Sequence, residues 1–400
     1  MKPIIQKIFP ASQPFPVMVF SRQPVVHLFW GGGLLGLVIG FSLGFFLWMW
    51  QTGVLALSEH YFLLKLVHAH VQLFGFIGSF LLGFALQAGP NVLGGHPPPS
   101  KLLLKFLPIL WLGIGLSILS DPVAALIGNI LITIAFAGPG YLLLRVTLAG
   151  NPLLRIPRGL PLTGAFTWMA FAPWLPLEDS GTAVFFLWCG PITAAMVAAQ
   201  QLINNVMQGA ILQGATARLY MVSLSFAWLC TGWAAFMDNS FWRVSGWAWL
   251  ATILILVFGT RFIPSVRTMG FVGINVTLFL GVVGLFVATL MMIIGGREVA
   301  LDAVVHLLGA GVMTLLIIGV ASRVAGFFSG QAVVPDRIVV YILLLWSLVA
   351  LTRVATSLAW IGSDFVGWAV GLGGVLLIVW GARLALRLIP IGKKFSPPKP

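Results

Sequence analysis

Twelve apolar runs leave this chain few ways to fold. A helix that crosses a bilayer needs about 20 mostly apolar residues. Runs near that length recur at 28–50, 62–87, 102–120, 123–148, 161–177, 181–205, 216–236, 244–262, 270–295, 299–321, 338–357 and 365–389. The composition agrees: 60% of the 400 residues are hydrophobic, 8% are charged, and the mean hydropathy is +1.05, beyond what a water-soluble domain sustains. Forty-six Gly, thirty Phe and sixteen Trp suit spanning helices, because glycine lets helices approach closely and aromatic rings anchor at interfaces. The expected fold class is therefore all-α, a polytopic transmembrane helical bundle of about twelve spans embedded in the lipid bilayer. The run "PLTGAFTWMAFAPWLPL" is the shortest and is broken by proline. Residues 1–27 read as a cytoplasmic tail without a cleavable signal's apolar core, 28–389 as one bundle, and 390–400 as a basic, Pro-rich cytoplasmic tail. No internal repeat stands out. Cys189 and Cys230 sit alone in apolar runs, which reads as free buried thiols.

Charge sets the orientation. With alternating spans, eighteen of the twenty-two Lys and Arg residues fall on one side, and eight of the nine Asp and Glu residues fall on the other. Arg243, Arg297 and Arg353 join the acidic side, Lys65 lies inside the second span, and Asp336 alone among the acids sits with the basic loops. Cytoplasmic loops collect Lys and Arg, so both termini are expected in the cytoplasm. The net charge of +13 then reports orientation; with no basic domain outside the bilayer, nucleic acid is not an expected partner.

Ionisable residues within spans are the candidates for function. His68 and His70 fall in the second span and His306 in the tenth, whereas His27, His60 and His96 lie near interfaces. His68 and His306 are each about seven residues below the outer boundary, about 10 Å down at roughly 1.5 Å per residue. On an ideal helix the face of His68 carries Lys65, Gln72, Gly75 and Ser79, and that of His306 carries Asp302, Gly309 and Met313. Asp302 is thus placed to accept the second ring N–H of His306, as carboxylates beside ligating imidazoles do. His70 points elsewhere, along Leu66, Phe74, Ile77 and Leu81. Two histidines at i and i+2 cannot chelate one ion, so His70 serves another neighbour, as an interhelical hydrogen bond, a support to the first site or a ligand to a second metal.

Three stretches, "HAHVQLFGF" at 68–76, "FGTRFIPSVR" at 258–267 and "VVHLLGAGVMTLLIIGVASRVAGFFSG" at 304–330, resemble the signature regions of the NnrS family. The resemblance implies a twelve-span bacterial inner-membrane protein bearing haem, of b type, with copper as a second metal, tied to nitric oxide metabolism. It covers His68, His70, Phe74, Gly75, Arg261, Pro264, His306, Met313, Thr314 and Arg323. Metal-ligand candidates are His68, His306 and His70; cofactor-binding candidates add Asp302, Met313, Gly75, Gly309, Arg261 and Arg323. The chain departs from the family where Val71 and Gln72 replace Glu-Met and where "AGFFSGQ" lacks a late histidine, which weakens copper more than haem. "HAHVQLFGF" is also similar to the catalytic subunits of haem–copper oxidases and nitric oxide reductases. With three intramembrane histidines and no His-His pair, the chain cannot build their full metal complement.

A second class stays open: a secondary transporter, or an accessory subunit of a respiratory complex without its own redox reaction. Twelve spans and proline-broken segments suit transport, and Gln200, Asn204 and Gln208 form a polar stripe that could line a vestibule or bond between helices. No acid at mid-membrane is available to couple it to an ion. The favoured expectation is haem between the second and tenth spans, with nitric oxide or a related small molecule as its ligand.

Overall fold

The computed structural model describes residues 25–55, 60–269, 272–329, 332–362 and 364–394. The expected N-terminal tail through residue 24 and the basic end from 395 lie outside them. Among the described residues there is no strand. Among the described residues, ten helices are long and apolar enough to cross a membrane: α1 (Val25–Gln51), α2 (Tyr61–Val92), α4 (Pro122–Ala149), α6 (Ser180–Asn205), α7 (Gly214–Phe236), α8 (Asn239–Gly259), α9 (Gly273–Glu298), α10 (Leu301–Gly326), α11 (Asp336–Ser357) and α12 (Asp364–Ile389). The expected third and fifth runs form shorter helices, α3 (Phe106–Ser117) and α5 (Leu160–Phe171). Around α5 the backbone changes pitch at Pro157 and Pro173, where prolines remove an N–H from the ladder. Asp121 and Asp179 cap α4 and α6, each accepting a main-chain N–H at 2.8 Å.

The helices divide into a core and a ring. In α2, α6 and α10, 83%, 89% and 67% of the apolar window is buried, against 50% or less in the other seven long helices. The remaining helices pack side by side in the closed order α1, α3, α4, α5, α7, α8, α9, α11, α12 and back to α1. Each core helix is the second of a run of four, and the three begin about 120 residues apart. The chain thus repeats a four-helix unit three times, a regularity of packing where no repeat was expected from residue identity.

All three core helices also change pitch internally. Residues Val71–Gly78 of α2, Trp188–Ile192 of α6 and Leu307–Met313 of α10 are π-helical. Each segment contains glycine, which weakens the α ladder locally, and wide i→i+5 turns of this kind concentrate at functional sites. Carbonyls in two of them find side-chain donors. Trp346 Nε1 donates to Ala310 O at 2.6 Å and Thr314 Oγ1 to Gly309 O at 3.1 Å in α10, and Thr193 Oγ1 donates to Trp188 O at 2.8 Å in α6.

Arg158, only 2% exposed, ties the opposite end of the core together. Its guanidinium donates to Val92 O of α2 at 3.4 Å, to Gln200 O of α6 at 3.5 Å and to the side chain of Gln201. Gln200 Nε2 returns a bond to Pro157 O at 3.1 Å. Gln200 is therefore a buried interhelical clamp, whereas Asn204 bonds Asn205 at 2.9 Å and Gln208 is exposed. The polar stripe that could have lined a vestibule is divided between these roles. Arg158→Leu strips partners from several buried groups, so it should cost about 1.5–3 kcal/mol, checked by thermal unfolding in detergent.

Candidate functional site

The N-terminal ends of α2, α6 and α10 converge on one cavity of about 380 Å³, walled on its other sides by α1, α11 and α12. Its size falls in the range of small-molecule and cofactor sites, roughly 300–1,000 Å³. His68 and His306 both line it, as their matched depths predict.

The two imidazoles are held alike. His68 Nδ1 lies 2.8 Å from the carbonyl of Gly40 in α1, and His306 Nδ1 lies 2.8 Å from the carbonyl of Asp302. A carbonyl can only accept, so each Nδ1 carries the proton and each Nε2 keeps its lone pair. This is the tautomer a metal ligand needs, with its orientation fixed by a main-chain acceptor.

The acceptor for His306 differs from expectation. The Asp302 carboxylate approaches the ring no closer than 3.4 Å through Oδ1, while Oδ2 takes hydrogen bonds from Arg353 at 3.0 Å and Ser357 at 2.6 Å. Asp302 turns its carboxylate to the cation on α11 because a charge-assisted pair with a guanidinium outweighs a bond to a neutral ring N–H. Arg353, which the charge count placed merely on the outer side, is thereby a cavity residue.

Gly75 and Met313 were expected on the histidine faces, seven residues beyond His68 and His306. Neither lines the cavity. The next residues, Phe76 and Thr314, occupy that place. The π turns supply the reason: a wider turn delays the return of a face by one residue. Gly75 instead meets Gly36 and Trp111, and Met313 borders a separate apolar void of about 50 Å³ with Trp30 and Phe80. Ser79, eleven residues beyond His68, is buried away from the cavity for the same reason. Gln72 and Gly309 do line it.

His70 is buried elsewhere, 5% exposed, with Nδ1 3.1 Å from Leu66 O and its ring edge-on to Phe74 at 5.4 Å. Phe74 continues into Phe136 and Phe186, so this histidine belongs to an aromatic core cluster. Arg261 and Arg323 are exposed and outside the cavity; Arg261 terminates α8 in the left-handed region at φ 57°. Among the described residues, no three His, Cys, Asp or Glu side chains gather as a metal cluster.

A stripe on α1, not singled out from sequence, shapes the near wall. Gly36, Gly40 and Gly44 recur every four residues and face α2. A Cβ on Gly36 would stand 2.5 Å from the Gly75 carbonyl carbon, on Gly40 2.8 Å from Gln72, and on Gly44 2.9 Å from His68 Cε1. Their spacing is the small-xxx-small pattern of closely packed membrane helices, legible in "GLLGLVIGFSLG". It brings the α1 backbone near enough for Gly40 to accept from His68.

Fold and site together define a multi-pass helical membrane protein with a pair of oriented imidazoles in one cavity. The family profile described as NnrS protein matches residues 21–391, nearly the whole chain, and the protein belongs to the NnrS family. No curated protein matches it.

Proposed function

We propose that the protein is a haem-binding member of the NnrS family, resident in a bacterial inner membrane, that handles or confers tolerance to nitric oxide. The carrying observation is that His68 and His306, from two core helices, enter one cavity with each Nδ1 engaged by a carbonyl. The residues fit the group: two free Nε2 lone pairs suit iron, and Phe41, Phe76 and Trp346 offer apolar walls to a planar macrocycle. His68 and His306 are the residues that would hold it. A bound haem, of b type, supplies an iron centre that exchanges one electron and takes up diatomic molecules. The protein's own contribution is to orient both rings through Gly40 and Asp302 and to enclose the group within the bundle.

Copper has less to hold it, since His70 packs edge-on to Phe74 in an aromatic cluster and, among the described residues, no three His, Cys, Asp or Glu side chains gather there. A transporter reading is disfavoured by the role of Gln200 as a clamp. Optical spectra of protein purified with ample haem decide the matter. A Soret band that shifts on reduction and on addition of nitric oxide is expected, whereas a colourless preparation overturns the proposal.

A further inference from the structure

Above the two imidazoles, the cavity changes character. Its deeper wall is apolar, with Leu37, Leu73, Ile77, Leu187 and Leu377, while its outer rim carries Lys65, Arg353, Asp302 and Glu178. Lys65 lies three residues before His68, one helical turn nearer the outer end of α2. No carboxylate stands within ion-pair reach of it among the described residues. Arg353 enters from α11 and gives one bond to the Asp302 carboxylate at 3.0 Å and another to Ser357. A guanidinium has five N–H donors, so these leave several unspent. The amino ends of α2, α6 and α10 also meet here, and helix amino ends favour negative charge.

The geometry points to Lys65 and Arg353 as a carboxylate-binding rim that orients an amphipathic planar ligand, with its apolar body inward and its acid groups at the outer mouth. This rests on the haem reading and sharpens it: the macrocycle is held by its propionates as well as by its iron. Asp302 is then a positioning residue, which keeps the Arg353 side chain over the cavity and supplies the carbonyl for His306. Glu178, across the rim, opposes anions and sets a limit to the charge the mouth accepts.

The test compares haem with its dimethyl ester, which keeps iron and ring but has no acid groups. Both are titrated, by Soret absorbance, into apoprotein of wild type, Lys65→Gln, Arg353→Gln and the double variant in detergent, with helical content followed by circular dichroism. Wild type should bind haem more tightly than the ester by at least about tenfold per carboxylate held. Each single variant should narrow that preference and the double variant should abolish it, with ester affinity unchanged in Lys65→Gln. Lys65→Arg should restore the preference. Lys65 has no ion-pair partner among the described residues, so its variant isolates the ligand contact even if Arg353→Gln disturbs Asp302. Equal wild-type affinity for haem and ester, or a full preference in the double variant, overturns the rim while leaving the haem site standing. Failure of wild type to bind either overturns both.

Discussion

If the proposed haem site is right, replacing both His68 and His306 by alanine should abolish haem binding while leaving the helices in place. The loss should exceed the roughly 10- to 100-fold that removal of an outer hydrogen-bond partner costs a metal site, because here the proposed ligating nitrogens themselves go. The fold should survive. His68 contributes one bond to Gly40, and His306 bonds within its own helix, each worth about 1 kcal/mol. His70→Ala serves as the contrast. It removes a ring packed on Phe74 and should lower thermal stability while retaining haem. Pyridine haemochrome content and melting temperature of the purified variants separate the two behaviours. Full haem in the double variant, or haem loss confined to His70→Ala, would assign the ligands elsewhere.

The largest stability effect should come from Gly36→Val. Its Cβ would meet the main chain of Gly75 and Phe76, each at 2.5 Å, and main chain cannot rotate aside as a side chain can. Either α1 and α2 part or α1 slides, and both disturb the Gly40 carbonyl one turn on, which orients His68. Overpacking in tight cores costs about 1–3 kcal/mol and more where backbone must shift. The expected outcome is a melting transition far below wild type, or loss of folded protein from membranes, accompanied by weakened haem binding. Gly31→Ala on the same helix meets nothing within 4 Å and should stay within about 0.5 kcal/mol of wild type. A Gly36→Val protein as stable as that control would remove the close approach from the account.

Much of this was written plainly in the residues. Length and hydropathy alone marked the long helices, and counting residues from the expected outer boundary gave His68 and His306 a shared depth, at which one cavity takes both. What escaped was phase. Gly75 and Met313 were both assigned by adding seven to a histidine, and both fail by one residue because a π turn follows each histidine. Nothing in "VQLFGFIG" or "LLGAGVM" beyond their glycines announces that turn. Asp302 misled for another reason: its spacing to His306 is local, whereas Arg353 and Ser357, which captured its carboxylate, are more than fifty residues away. The threefold recurrence of core helices lies in which helix is buried, and neighbours decide that, not identity.

The arrangement of a core enclosed by later helices has a consequence for biosynthesis. α2 leaves the ribosome early, yet α10, which brings His306 to its cavity, starts about 240 residues later. At about 5–20 residues per second, the nascent α2 waits roughly 10–50 s for that partner. At the start of that interval Lys65, His68 and Gln72 face an unfinished wall: of the helices that surround the finished cavity, α1 is already there, and α6 follows about 120 residues after α2. The glycine stripe of α1 therefore acts as an early shelter, covering His68 and Gln72 in the half-made chain until the ring can close.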